Sequence, residues 1–155
     1  MGKIQIGKRV PDFTLKETDG TPIKLSQFLG QKVVLYFYPR DNTPGCTAEA
    51  CDFRDNYRKF TRRGVVIIGI SPDSEKSHQK FRTEHKLPYL LLSDPQRKVA
   101  KLFGVLKPKN MYGKSVLGIE RSTFILDERG RLIAELRKVS VEGHVAELLK
   151  ILSEQ

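Results

Sequence analysis

Two cysteines, Cys46 and Cys51, are the only thiols in the chain, and their placement decides what they can do. Cys46 directly follows Thr43-Pro44-Gly45, where an apolar run gives way to a helical pattern, so it falls in a helix's first turn. Free N–H groups and the positive end of the helix macrodipole there favour a thiolate, the nucleophilic form of the side chain. A plainer reading stands beside this one. Cys46 lies four residues before Ala50 and shares the core-facing stripe, where a thiol serves as a small buried hydrophobe.

Cys51 is five residues further on, a rotation of about 500°, which leaves the second thiol roughly 140° around the axis from the first. On an intact helix the two Cα atoms stand about 8 to 9 Å apart, beyond the ~7 Å that a disulfide tolerates. Either the pair never bonds, or the first turn or two must unwind for it to do so. The second option describes a redox switch. A metal site fits worse, because two thiols on different faces and three distant histidines do not converge as four ligands. Nor is this the C-x-x-C of a dithiol exchanger: Thr47-Ala48-Glu49-Ala50 separates the thiols.

The elements around the thiols can be read from periodicity. Phe13 and Leu15, the Asp19-Gly20 turn, and Ile23 and Leu25 make a hairpin over Pro11 to Leu25. Lys32 to Tyr38 is a continuous β-branched and aromatic run, the pattern of a strand covered on both faces. Pro39 ends it, and the polar turn Arg40 to Gly45 leads into a helix with Ala50, Phe53, Tyr57 and Phe60 on one face. That helix runs as one piece to Arg62-Arg63 and stops at Gly64. Val65 to Ile70 is a second buried strand, and Ser71-Pro72-Asp73-Ser74 offers caps and a first-turn proline for a polar helix to about Lys86. Leu90 to Leu92 reads as a short strand and Pro95 to Phe103 as a short helix. Ser122 to Leu126 and Leu132 to Leu136 bracket the hairpin turn Asp127 to Gly130, and Val145, Leu148, Leu149 and Leu152 mark a final helix. A hairpin, then βαβα, then an antiparallel hairpin and a closing helix predict an α/β fold. Its form is a thioredoxin-like three-layer α/β/α sandwich with a mixed central sheet and an N-terminal β-hairpin.

Composition sets the outer bounds. The 155 residues suit one domain, 1–155, with 39% apolar and 30% charged residues, which excludes a disordered or collagen-like chain. No apolar run approaches the ~20 residues of a membrane span, and the N-terminus lacks the apolar stretch of a signal peptide, so a cytoplasmic protein is expected. The net charge of +10 is spread thinly, with clusters at Arg58-Lys59, Arg62-Arg63 and Lys107 to Lys114. There is no block of five like charges and no recognised nucleic-acid module, so neither nucleic acid nor a membrane is expected as a partner.

At the cysteines the chain also resembles a known family. Pro39-x-x-x-Thr43-x-x-Cys46 resembles the active-site motif of the peroxiredoxins, the thiol peroxidases. Tyr36 to Asp55 is similar to the bacterioferritin-comigratory (PrxQ) subfamily, and the likeness continues through Gly69 to Ser74, Leu91 to Pro95, Met111 to Lys114 and Arg121 to Phe124. The resemblance implies that Cys46 is the peroxidatic nucleophile and Cys51 the resolving thiol of the same chain. It implies that Thr43 holds thiolate and peroxide through its hydroxyl, that Arg121 stabilises the charge on sulfur and the peroxide oxygens, and that Pro39 shields the pocket. The residue chemistry agrees, since a guanidinium offers several donors with a permanent charge and a threonine hydroxyl both donates and accepts.

The implied cycle takes hydrogen peroxide or an organic hydroperoxide to water or alcohol through a Cys46 sulfenic acid and a Cys46–Cys51 disulfide. Thioredoxin or a similar dithiol then reduces that disulfide by exchange. No metal or organic cofactor is called for, and two thiols in one chain suit a monomer. A thiol–disulfide exchange protein or redox sensor using the same pair is the alternative, and a basic binding module a third. Glu49 either pairs with Arg121 or is an ordinary first-turn acid. His78 and His85 have no acidic partner in helical register and are expected at a half-exposed packing edge. His144 is expected in solvent, and Tyr36 and Tyr38 in the sheet core.

Overall fold

The computed structural model describes residues 4–155 apart from the side chain of Met111. Asp19-Gly20 reverses the chain between β1 (Thr14–Lys16) and β2 (Pro22–Lys24), pairing Leu15 with Ile23. Gly20 takes a φ of +85°, which costs glycine nothing, and Asp19 Oδ1 accepts the Thr21 N–H at 2.9 Å. A 3-10 turn, Leu25–Phe28, then leads to β3 (Lys32–Phe37), buried from Val33 onward. Alternate side chains of β3 feed opposite cores, Val33, Leu35 and Phe37 on one face and Val34, Tyr36 and the following Tyr38 on the other. The unbroken apolar run is the consequence of that two-sided burial.

After β3 come α1 (Pro44–Asp55), α2 (Tyr57–Thr61), β4 (Val65–Ser71), α3 (Glu75–His85), β5 (Leu90–Ser93) and α4 (Lys98–Leu102). The chain continues through β6 (Leu106–Met111), β7 (Lys114–Ile119), β8 (Ser122–Leu126), β9 (Leu132–Leu136) and α5 (His144–Ser153). The main sheet has the order β2-β1-β5-β4-β3-β8-β9. β3, β4 and β5 run parallel, while β8 lies antiparallel to β3, β9 to β8 and β1 to β5. This is the mixed sheet of a thioredoxin-like fold. Ala50 and Phe53 of α1, Phe60 of α2, Phe81 of α3 and Val145, Leu148 and Leu152 of α5 cover one face. Val99 and Ala100 of α4 cover the other with the N-terminal hairpin and the 3-10 turn, so the outer layers are unequal. Among the described residues no helix is long and apolar enough to cross a membrane.

Four details differ from the sequence expectation. The helix carrying the thiols is broken at Asn56 (φ −108°, ψ 10°), whose side-chain amide donates to the Asp52 carbonyl at 2.8 Å and competes with the helical ladder. Of the caps offered, Ser74 is the one used, its Oγ accepting the Ser77 N–H at 3.1 Å, so Pro72 lies outside the first turn of α3. The short helix begins at Lys98 rather than Pro95, because Asp94 and Arg97 form a turn first and Arg97 sits at φ +57°. The fourth is an unexpected second sheet of β6 and β7, joined by Tyr112-Gly113 at φ +52° and +78°, the twist of a two-residue hairpin loop.

Candidate active site

The thiols sit where parallel strand β3 ends, the end of an α/β sheet at which sites collect. Thr43, extended at φ −91° and ψ 154°, is the residue before α1, with Pro44 pre-set for the first helical position and Cys46 third. Helix α1 is held against the sheet from below by a relay of phenols. Gly69 of β4 has no side chain, and a Cβ there would lie 2.8 Å from Tyr36 Cζ, so the Tyr36 ring lies over β4 only because of that glycine. Tyr36 stacks on Phe53 of α1 with ring centroids 4.5 Å apart. Tyr89 donates its hydroxyl to the Ala50 carbonyl at 2.9 Å, which leaves Tyr36 to donate to Tyr89 at 2.8 Å. Burial raises the pKa of both phenols, so they stay protonated donors.

Cys46 is 2% exposed and Cys51 is half-buried, and both are free thiols. Arg121, the residue before β8, reaches across to α1. Its Nη2 donates to Cys46 Sγ at 3.3 Å and its Nη1 donates to Glu49 Oε1 at 2.6 Å. Burial disfavours the guanidinium charge, but Glu49 and Cys46 outweigh that and hold the Arg121 pKa above its ordinary value. Gly45 belongs to the same contact, since a Cβ on it would stand 3.2 Å from Arg121 Nη2. Of the two readings of Glu49, the pairing with Arg121 is the one found. Glu49 is itself 1% exposed, its Oε2 has no hydrogen-bond partner among the described residues, and burial pushes its pKa up to about 7 despite Arg121.

Thr43 is half-buried, and its hydroxyl donates to the Arg40 carbonyl at 2.9 Å instead of capping α1. Its proton is therefore committed and its oxygen remains as an acceptor. Pro39 is half-buried between β3 and this turn. The structure thus brings Cys46 and Glu49 onto one guanidinium, that of Arg121, while Pro39 and Thr43 lie in the segment between β3 and α1. An apolar cavity of about 360 Å³ lies at the other end of β3, lined by Val10, Leu25, Phe28, Val33 and Leu126, and none of its lining belongs to the thiol site.

Two histidines correct the sequence expectation. His78 is fully buried, not at a half-exposed edge, and it does have an acidic partner. Its Nδ1 meets Asp41 Oδ2 at 2.7 Å and its Nε2 meets the Leu92 carbonyl at 3.1 Å. Asp41 Oδ1 accepts from Tyr38 at 2.7 Å and Oδ2 accepts from Ser77 at 2.8 Å. Asp41 thus accepts from two hydroxyls and contacts the His78 ring, which holds it in place from three sides. The Asp41 N–H donates to Asp73 Oδ2 at 2.6 Å, which ties the turn before Thr43 to the segment between β4 and α3. Asp41, Asp73 and His78 bring ligand atoms within 4.8 Å of one another. Each is already engaged by protein groups, so the trio fits a hydrogen-bonded anchor better than a cation site. His144 is buried rather than in solvent; its Nε2 lies 2.7 Å from Thr123 Oγ1, and burial, helped by the Arg121 charge, lowers its pKa to about 4. Periodicity could reveal neither partner, because Asp41 and Thr123 lie 37 and 21 residues away in the chain.

The arrangement has relatives. Residues 6–135 match the model of the AhpC/TSA family. The chain is 54% identical over 151 residues to "Peroxiredoxin Bcp" of Bacillus subtilis, covering 97% of this chain and 96% of that one. It is 49% identical to "Putative peroxiredoxin bcp" of Coxiella burnetii, covering 94% and 97%. Among solved structures it superposes on Xanthomonas campestris peroxiredoxin Q with a TM-score of 0.91 at 40% identity, covering 99% and 98% of the two chains. A thiol at a helix N-terminus under a guanidinium, on this fold and in this sequence company, places the chain in the AhpC/TSA family as a peroxiredoxin of the Bcp/PrxQ group.

Proposed function

We propose that this thiol-dependent peroxidase works through Cys46 as the peroxidatic nucleophile and Cys51 as the resolving thiol. The observation that carries the assignment is the Arg121 guanidinium 3.3 Å from Cys46 Sγ at the start of α1. A fixed cation and the free amides of a helix start both stabilise negative charge on sulfur, and the same donors serve the oxygen on which charge grows as the O–O bond breaks. Thr43 accepts a hydrogen bond from the incoming hydroperoxide while its own hydroxyl keeps donating to the Arg40 carbonyl, and Pro39 limits water at the approach.

Attack by Cys46 on the terminal peroxide oxygen gives a sulfenic acid and releases water or an alcohol. Cys51 then attacks that sulfur, water leaves, and an intramolecular disulfide forms. The two thiols are five residues apart on one helix, so the start of α1 must unwind for that step. Hydrogen peroxide and organic hydroperoxides are the substrates. Alkyl peroxide reduction by the bacterioferritin comigratory protein of Xanthomonas campestris, a structural neighbour with a TM-score of 0.90, supports the organic class. Thioredoxin or a similar cytoplasmic dithiol returns the disulfide to thiols, and the enzyme works as a monomer.

Steady-state turnover with thioredoxin, thioredoxin reductase and either peroxide tests the assignment. Cys46→Ser abolishes turnover, whereas Cys51→Ser abolishes recycling but leaves a single oxidation of Cys46. Turnover of disulfide substrates at undiminished rate, with no peroxide reduction, would overturn the reading in favour of a thiol–disulfide exchanger.

A further inference from the structure

The peroxidatic site contains one acid more than its cation can balance. Arg121 contributes a single positive charge and contacts two groups that ionise to anions, Cys46 Sγ at 3.3 Å and Glu49 Oε1 at 2.6 Å. Both side chains are removed from water, Cys46 at 2% exposure and Glu49 at 1%. A second anion beside one guanidinium would leave a buried net negative charge, the arrangement that proteins avoid most consistently. Glu49 Oε2 is buried and makes no hydrogen bond among the described residues, as a protonated carboxyl oxygen with unused donor capacity would be placed. Glu49 also lies three residues after Cys46, on the same face of α1.

We propose that Glu49 is the proton store of the peroxidase reaction, holding the proton that Cys46 gives up and delivering it to the oxygen that leaves. In the reduced enzyme the site carries one proton for its two acids, as Cys46 thiolate and Glu49 carboxylic acid, and is neutral overall with Arg121. The thiolate donates an electron pair to the terminal oxygen of the hydroperoxide. The S–O bond forms as the O–O bond breaks, and the leaving alkoxide or hydroxide takes the Glu49 proton. The products are sulfenic acid, alcohol or water, and a Glu49 carboxylate now paired with Arg121. The site is neutral before and after, so no step strands a buried charge. Reduction of the disulfide brings the proton back. The groups facing Glu49 are consistent with this. Arg121 favours its carboxylate, while burial opposes it and Asp52 of the same helix adds a like charge. The phenols of Tyr36 on β3 and Tyr89 just before β5 remain neutral.

The proposal rests on the peroxidase reading, and one set of rapid-mixing experiments separates the two. Oxidation of reduced wild-type protein by hydrogen peroxide is followed from pH 5 to 9, beside Glu49→Gln, which keeps an oxygen for Arg121 but holds no proton. Wild type loses rate as pH rises through about 7, where the store empties. Glu49→Gln is slower at pH 6 by about a hundredfold, the usual worth of a positioned general acid, and loses the descending limb. A Glu49→Gln profile that keeps the limb, whatever its height, overturns the proposal and leaves Glu49 a positioning residue for Arg121. A wild type that is not oxidised rapidly at any pH overturns the peroxidase reading and this proposal with it. Infrared difference spectra of wild type alone give a second test should the variant fold poorly. One equivalent of peroxide converts a protonated carboxyl band into a carboxylate band. An unchanged carboxyl region would also overturn the proposal.

Discussion

Two buried carboxylates flank the thiol turn, Asp41 five residues before Cys46 and Glu49 three after, and they are treated in opposite ways. Asp41 is saturated by the hydroxyls of Tyr38 and Ser77 and the ring of His78. Glu49 has one partner, Arg121, and one oxygen with none. The difference teaches what each is for. An acid with partners on both oxygens is fixed in position, so Asp41 anchors the turn between Pro39 and Thr43. An under-satisfied acid is held less firmly, and the proposed proton store is the role that fits Glu49.

The comparison breaks most visibly at the anchor. Asp41→Ala strips the partner from buried Tyr38 and His78 and from half-buried Ser77, and destabilises the fold by about 3–5 kcal/mol in urea unfolding, the cost of removing one partner of a buried pair. Arg121→Met acts on the chemistry, slowing Cys46 oxidation by about 10²–10³-fold in stopped flow, since it removes a donor to developing charge.

The third prediction uses pH to separate Glu49 from His144. Glu49 has its pKa raised by burial to about 7 from 4.5, so the folded protein holds a proton the unfolded chain releases. Its contribution to stability is fully present below pH 4.5 and is lost as pH rises to about 7, by up to about 3 kcal/mol. Glu49→Gln removes that slope. His144 has its pKa lowered by burial to about 4 from 6.5, so its contribution is present above pH 6.5 and fades as pH falls towards 4. His144→Gln removes that opposite slope, and urea unfolding at pH 4.5, 6 and 8 reads both. The smallest effect is at Gly45, where an added Cβ stands 3.2 Å from Arg121 Nη2. Gly45→Ala shifts the guanidinium slightly and lowers the oxidation rate a few-fold, about 1 kcal/mol or less.

The buried parallel strands and the start of α1 are legible in the chain because their signals are local. Continuous apolar runs mark β3 and β4, and Thr43-Pro44-Gly45-Cys46 marks a helix start. The β6–β7 hairpin is not legible that way. Its strands, rich in lysine and lacking apolar alternation, are largely exposed, and only the Tyr112-Gly113 turn betrays them. At the site, Cys46 and Arg121 are marked by motif, whereas the Asp41–His78 pair is invisible to periodicity because it joins a loop to a helix 37 residues later. Its signal is compositional: a histidine in a very polar helix, spaced three residues before Phe81 on the face that turns inward.

The most direct test of the central claim mixes the reduced protein with one equivalent of hydrogen peroxide, follows free thiols by stopped flow and reads the intact mass at the end. Both thiols are expected to disappear rapidly and the mass to fall by about two hydrogens, with the fast phase absent in Cys46→Ser. Loss of thiols at the pace of an ordinary surface cysteine, unaffected by Cys46→Ser, would contradict it.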